Sequence, residues 1–474
     1  VLHYRIGNIL LASADEKDLP NKLFYIVDQL NLGVAMIRDG AMREKLVRLN
    51  LEAGGRAKDS AAYAPAFRYL KNGLDLLEEN PWVNQYELTL ALYTESTEAA
   101  YLMGDYEKMN DLAAVALKYA RTTLERARIY SSCIYACVAR EDYQGAIDVA
   151  MPILKMLTPK LGLRIPEKST KVHIAIEVFR TMLTLAGKKP DDLLNLPKAT
   201  DPEILAAGKI LASVGHAAFY ADPNLLALII LKSFRMIFKY GLAPEHPFAF
   251  AGVGIVKAVG LWDFEGAVKF GQLGLKLVEK LGARDQESRT LFVYNALVRH
   301  WKYPMKDSIE PMREGYRIGL ETGDLGFATF NLIFTEVHDI FTGRELSDLN
   351  RYMERNNKII TGLKQGHTLT VQSLQWQAIL NLLGQCDNPV ELTGKAIDAE
   401  KLLPSWEQTR NLAALSVYWF VKLILYSVYS EYRQALKASD EFRKYMDSQQ
   451  GVLINKYAVL LDSVARLKVY KDAS

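Results

Sequence analysis

Glu98-Ala-Ala-Tyr-Leu-Met-Gly104-Asp-Tyr106-Glu-Lys108 reads as a small-residue helix, a tight turn, and an aromatic residue that opens a second helix. Tyr135-Ala-Cys-Val-Ala-Arg-Glu-Asp-Tyr143-Gln-Gly-Ala146 repeats that order 37 residues on, counted from Tyr106 to Tyr143. Val256-Lys-Ala-Val-Gly-Leu-Trp262-Asp-Phe264-Glu-Gly-Ala267 repeats it further along. The spacing of the first two is about the period of a tetratricopeptide-type helical hairpin. Each residue type has a task there. Paired helices approach closely only where the side chains between them are small, the role of Ala99, Ala100, Ala136 and Ala258. Gly104 accepts the left-handed turn that ends a helix, and Asp105 can cap the next one. Stacked hairpins of this kind form a surface for binding other proteins.

Outward from these motifs, helical periodicity holds along the whole chain. Tyr63, Ala66, Leu70, Leu74 and Leu77 share one face, as do Leu112, Ala116 and Tyr119, and then Ile147, Ala150, Leu154 and Leu157. The expected fold is all-α: a right-handed α–α superhelix of tetratricopeptide-like hairpins, with degenerate repeats and roughly two dozen helices in total. Residues 1–50 read as an N-terminal helical cap, or the tail of a preceding domain, with Ile9–Asp15 and Lys22–Leu32 as short helices. Residues 51–157 read as repeats, with the glycine pair Gly54-Gly55 opening a repeat helix. The period lapses over Thr158–Pro166 and again over Gly187–Pro197, so 158–200 is expected as an irregular connector. Residues 201–474 then read as degenerate repeats, with Asp201 as N-cap and Pro202 in the first turn. A hairpin is expected from Gly241–Pro247 through Leu281, followed by helices at Asp339–Arg355, Thr368–Leu383, Asn411–Tyr429 and Tyr432–Met446. Lys471–Ser474 reads as an ordinary tail.

Composition narrows the class. Half of the 474 residues are apolar and 24% are charged, which is the profile of a packed protein and not of a disordered one. The 58 basic and 55 acidic residues are interspersed without a basic stripe, which points away from nucleic acid as a partner. Cys133, Cys137 and Cys386 make no disulfide framework, which fits a reducing cytoplasm; the first two read as small residues in a helix interface. The opening Val1-Leu-His-Tyr-Arg-Ile-Gly has no initiator Met and no leader shape, and suggests a piece of a longer chain. Leu225–Phe238 and Leu412–Tyr429 are the most apolar runs. Lys232, Arg235 and Lys422 interrupt them, so both read as buried helices and not membrane spans.

Chemistry-bearing constellations are thin. There is no phosphate loop: Gly252-Val-Gly254 lacks a third glycine and sits in a helical pattern. The seven histidines, His3, His173, His216, His246, His300, His338 and His367, are scattered, and no HExxH occurs. Glu336-Val-His338-Asp339 sets carboxylates near an imidazole, but neighbours on a helix point to different faces. His216 and His300-Trp301 read as hydrogen-bonded core residues. Trp376, Trp406, Tyr418, Trp419, Phe420, Tyr426, Tyr429 and Tyr432 could line a peptide groove; the reading preferred is that they fill gaps between helices. The expectation is therefore no catalytic, cofactor-binding or metal-ligating residue, and a partner-binding face that the sequence does not locate.

Several segments together resemble a known family. They are Leu2-His-Tyr-Arg-Ile-Gly-Asn-Ile-Leu-Leu, Gln85-Tyr-Glu-Leu-Thr-Leu-Ala-Leu-Tyr93, Asp201-Pro-Glu-Ile-Leu-Ala-Ala, Asn224–Lys232, Phe264–Gly271, Arg299-His-Trp-Lys-Tyr-Pro304 and Glu314–Gly326. From about residue 2 to 430 the chain resembles the helical region that follows the ATPase domain in giant bacterial multi-domain signalling kinases. Those join a serine/threonine-kinase-like domain, an AAA-type ATPase, this region, a GAF sensor and a histidine kinase. The resemblance implies a non-catalytic module regulating its neighbours, with ATP bound elsewhere in the parent chain. The implied partners are other domains of the same polypeptide or another protein. None of the seven histidines has the surroundings of a phospho-acceptor. Two alternatives stand beside this: an inducer-binding sensor arm of an ATP-dependent transcriptional activator, and a free-standing adaptor.

Overall fold

A computed structural model describes residues 1–14, 19–60, 62–140, 142–161, 164–166 and 168–473. Asp15 of the expected first helix, Glu141 of the second motif, Gly162 and Leu163 of the expected break, and Ser474 lie outside the described residues. Among those described there are twenty-three α-helices, two isolated β-bridges and no strand. The chain is all-α and built of tetratricopeptide-like hairpins, as its sequence pattern predicts. It divides into two compact units, Val1–Leu157 and Thr158–Ser474.

In the first unit three antiparallel pairs follow one another: Leu2–Ser13 with Leu19–Leu32, Gly40–Asp59 with Tyr63–Asp75, and Tyr86–Leu102 with Tyr106–Tyr119. Helix Thr123–Ala139 packs on both members of the third pair. Leu23, Ile26, Leu30, Leu46, Leu70 and Leu92 are fully buried. Burying such a side chain contributes on the order of 2 kcal/mol each. Two expectations are corrected here. Helix Gly40–Asp59 runs straight through the proposed 50/51 boundary, and its core is continuous with that of the first pair. Gly54-Gly55 lies inside that helix and opens nothing. A Cβ on Gly54 would come within 2.5 Å of Leu70 Cγ, so the glycine lets two helices touch. In helix Tyr106–Tyr119 the buried face is Met109, Ala113 and Ala116, with Tyr119 exposed and stacked on Trp82 at 4.5 Å.

The second unit repeats the hairpin five times: Pro202–Ala221 with Pro223–Tyr240, His246–Ile255 with Phe264–Leu281, Ile309–Thr322 with Leu325–Phe341, Leu346–Gly362 with Gly366–Leu382, and Leu412–Val428 with Tyr432–Arg443. Ile454–Ala473 closes against the last of them. Asp201 caps the first, its carboxylate accepting from Glu203 N–H at 2.9 Å. The expected connector 158–200 holds a regular fifteen-residue helix, Lys171–Leu185, capped by Thr170, and a 3-10 turn Pro190–Asn195. The expected helix Asp339–Arg355 is instead the end of one helix and the start of the next. Gly343, at φ 83°, turns the chain between them. Helix Ala399–Thr409 was not anticipated from the periodicity.

One closing bond recurs at the turns. The residue after the left-handed position donates its N–H five residues back, as in Asp105 to Ala100 at 2.9 Å, Arg344 to Asp339 at 3.0 Å and Asn411 to Trp406 at 2.9 Å. In the three quoted motifs the aspartate then caps the following helix, accepting from Lys108 at 3.2 Å, Gly145 at 2.9 Å and Gly266 at 2.8 Å. The third motif differs by one residue. Asp263 reaches six back, to Lys257 at 3.0 Å, because Val256–Gly260 is a π-helical turn carrying an extra residue.

Candidate interaction surface

Most of the residues singled out for chemistry lie in the interior of the second unit. Glu336, His338 and Asp339 leave helix Leu325–Phe341 toward three different neighbours. Glu336 is fully buried, and its Oε1 accepts from Asn356 Nδ2 at 2.7 Å and Gln372 Nε2 at 3.5 Å. Burial pushes its pKa up to about 8, so a neutral carboxyl sits among amides. Asp339 pairs with Arg344 at 2.7 Å. His338 faces His300, ring centroids 6.3 Å apart, and burial drives the two imidazoles down to about 4 and about 3. His216 packs its edge on Phe327 at 5.3 Å and is lowered to about 4 by burial. His246 and His367 are lowered to about 4 and about 3 by the same cause. His246 Nδ1 accepts from Ala243 N–H at 2.8 Å, which fixes its tautomer within a turn. His3 and His173 bond Gln29 and Thr170.

The remaining candidates are packing residues. Gly252 would place a Cβ 2.9 Å from Ile230, and Gly254 one 2.8 Å from the Ala267 carbonyl; both serve close helix contact. Cys137 is buried, and burial pushes the Cys133 thiol up to about 11, which keeps it an unreactive thiol. Among the described residues no three His, Cys, Asp or Glu side chains form a metal-binding group. Of the eight aromatics, Trp376, Trp406, Tyr418 and Phe420 are buried between helices, Trp419, Tyr426 and Tyr432 are half-buried, and Tyr429 is exposed, so gap filling describes half of them. Trp376 Nε1–H donates to Asn350 at 2.8 Å, and Tyr418 OH to Glu400 at 2.7 Å. An apolar cavity of about 20 Å³ lies among His216, Ile230, Phe248, Phe292, Phe327 and Phe330. It has room for about one water and is far below the size of a small-molecule site.

Helix Lys171–Leu185 turns an apolar stripe outward, as Ile454–Ala473 also does with Leu460, Val464 and Leu467. Glu177 and Thr181 of Lys171–Leu185 face inward. Glu177 is buried at 3% exposure and accepts from Arg180 at 2.9 Å, Lys232 at 3.0 Å and Arg235 at 2.5 Å. Burial would raise this carboxyl, but the three cations, Lys232 foremost, hold it below the usual carboxylate range. Thr181, on the same face, is also buried and donates to the Glu177 carbonyl at 2.7 Å. The outward face is apolar: Val172 and Phe179 are 68% and 61% exposed, and Ile176, Met182 and Leu183 are exposed with them. The sequence pattern contained the signal, since Glu177 and Thr181 share one side of the helix. It did not say which side faces in.

Two known proteins are similar to parts of the chain. No family model matches the chain. A curated protein, hybrid signal transduction histidine kinase G of Dictyostelium discoideum, is 20% identical over 355 residues. The match covers 69% of this chain and 10% of the relative, so the chain spans about a tenth of that protein's length. A solved structure, the STAND (Signal Transduction ATPase with Numerous Domains) protein with a tetratricopeptide repeat sensor from Pyrococcus horikoshii, aligns over 86% of this chain and 53% of its own. Its identity is 15% and its TM-score 0.41. The chain is thus a helical-repeat protein with sequence similarity to a signalling histidine kinase. Among the described residues, no helix is long and apolar enough to cross a membrane.

Proposed function

We propose that this chain is a non-catalytic helical-repeat module of a signal-transduction protein, making contacts with other domains or a protein partner and biasing the output of ATPase and kinase domains. The observation that supports it most is the alignment with a signal transduction histidine kinase across 69% of a chain built of helical hairpins. The interior accords with that reading: Glu336 and Glu177 are engaged by side chains of neighbouring helices. A repeat stack bends at low cost between hairpins, so contacts made in one state and lost in another can shift an attached domain between the two. Such coupling is typically about 1–3 kcal/mol, or roughly 5- to 150-fold in affinity. In the polypeptide that carries it, removing residues 1–474 is expected to change ATP hydrolysis or autophosphorylation several-fold. Rates indistinguishable from those of the intact polypeptide would sink the proposal.

A further inference from the structure

Trp262 occupies a turn position that favours glycine. Gly104 fills the same place in the first motif, ahead of the capping aspartate, and takes φ 77° with no side chain to resist it. Trp262 takes φ 56° with the largest side chain there is, in a backbone region that a β-carbon disfavours. The other non-glycine residues at positive φ, Asn80, Lys364, Arg410 and Ser430, are all polar. Packing does not account for the indole, because Trp262 remains 68% exposed. Strain held at an exposed aromatic directs attention to what the side chain touches.

It touches a cation. Lys456 Nζ lies 5.2 Å from the centroid of the Trp262 ring and 5.4 Å from that of Trp301. Trp301 is fixed by its Nε1–H, which donates to the Leu297 carbonyl at 3.2 Å, and by Phe264, stacked on it at 5.3 Å with the planes 5° apart. Phe264 also meets Trp262 edge to face at 6.1 Å. Two indoles from separate turns, braced by one phenylalanine, thus share one ammonium. The neighbouring charges are spent on each other: Lys257 pairs with Asp263 at 2.6 Å and Lys302 with Glu265 at 2.5 Å. Lys456 has no carboxylate partner among the described residues, so its charge is met by ring faces.

A primary ammonium is a poor permanent occupant of such a seat. It is compact, strongly hydrated and carried on a flexible stem. Lys456 is itself exposed, in the first turn of helix Ile454–Ala473, and it leaves most of the Trp262 ring open to solvent. A methylated ammonium keeps the charge, is more weakly hydrated, and is the cation that clustered aromatic faces bind best. We propose that Trp262 and Trp301 form a binding site for a quaternary ammonium group, with Lys456 as the exchangeable side chain that occupies it in this structure. The site goes beyond the module reading above and does not depend on it.

The test titrates the full chain at matched ionic strength and follows its indole N–H resonances. Choline is expected to shift two of them, and its uncharged carbon isostere, dimethylbutanol, to bind roughly tenfold more weakly. Lys456→Ala empties the seat and should tighten choline roughly threefold. Trp262→Gly installs the residue that Gly104 already uses, so it should melt no lower than the parent while choline binding falls roughly tenfold or more. A short peptide carrying trimethyl-lysine, set against free choline, separates the two sources of this chemistry. Tighter binding of the peptide assigns a protein side chain, tighter binding of choline a free small molecule, and either supports the site. Equal binding of choline and its isostere overturns the proposal, as does choline binding that Trp262→Gly leaves intact. No binding even to Lys456→Ala overturns it too, and would leave the two rings as an internal staple for Lys456 alone.

Discussion

Between Val1 and Leu157 the chain has one histidine, His3, on the surface beside Gln29; between Thr158 and Ser474 it has six, and five of those lie in the interior with lowered pKa values. The hairpins are alike in the two units, with the same turns, caps and small-residue contacts. What differs is the filling. The first unit closes over leucine and isoleucine, with a reciprocal Asn31–Asn50 amide pair at 2.9 Å as one of its neutral polar exceptions. The second encloses imidazoles, a neutral carboxyl and an ion-paired one. A repeat architecture therefore tolerates a titratable core, at the cost of a stability that depends on pH.

Acid is the strongest way to separate the units. An imidazole held near 3 to 4 in the fold and 6.5 when unfolded stabilises the protein fully above pH 6.5 and loses that contribution as pH falls toward 4. Each such group is worth roughly 3 kcal/mol over that interval. Hydrogen exchange read from about pH 7 to about pH 4 is expected to show protection collapsing in 158–474 first, with 1–157 still protected. Simultaneous loss in both units would break the comparison.

Glu336 works in the opposite direction. Its folded pKa of about 8 exceeds the ordinary 4.5, so the native state holds the extra proton and stability falls as pH rises between those values. The slope is about 1.4 kcal/mol per pH unit. Glu336→Gln copies the neutral carboxyl and keeps the acceptor for Asn356. It should change little near pH 4.5 and gain about 5 kcal/mol above pH 8 in denaturant melts. A constant difference across pH would show that Glu336 is not the group that titrates.

Glu177 is the counterpart, a carboxylate as buried as Glu336 but surrounded by cations in place of amides. Removing its charge strands Lys232, whose side chain is 10% exposed. Glu177→Gln is expected to cost about 3 kcal/mol near neutral pH. Since Glu177 titrates below the usual carboxylate range, its contribution is present above about pH 4.5 and fades in acid, and the penalty should shrink there. A penalty that persists unchanged in acid would mean packing, not charge, holds Lys171–Leu185 in place.

Much of the architecture could be read from the sequence because helices and turns are specified locally. Gly104-Asp105 ends one helix and caps another with residues three apart, and Ala136 or Ala258 mark a close contact wherever they fall. Failures came where the decision is made at a distance. Glu336 and Glu177 have similar sequence surroundings, and full burial for one, and Lys232 and Arg235 from a distant helix for the other, set their opposite charge states. The inside of Lys171–Leu185 is likewise chosen by cations 55 and 58 residues away. For that reason an amphipathic helix was passed over inside an expected connector.

The smallest expected effects lie in the turns, where the two units again invite comparison. Gly104 in the first takes φ 77° without a side chain, whereas Arg410, Lys364 and Ser430 in the second hold φ 51°, 54° and 65° with one. A left-handed residue with a Cβ costs about 1–2 kcal/mol, which glycine avoids while losing about 0.5–1 kcal/mol through greater freedom in the unfolded chain. Arg410→Gly should therefore raise stability by about 0.5 kcal/mol, with the Asn411-to-Trp406 bond retained, and Gly104→Ala should lower it by about 1 kcal/mol. Chemical melts of the two variants read the difference directly. If Arg410→Gly destabilises, the arginine side chain must be supplying a contact beyond its turn, and the equivalence of the closing motif across the two units would not extend to its energetics.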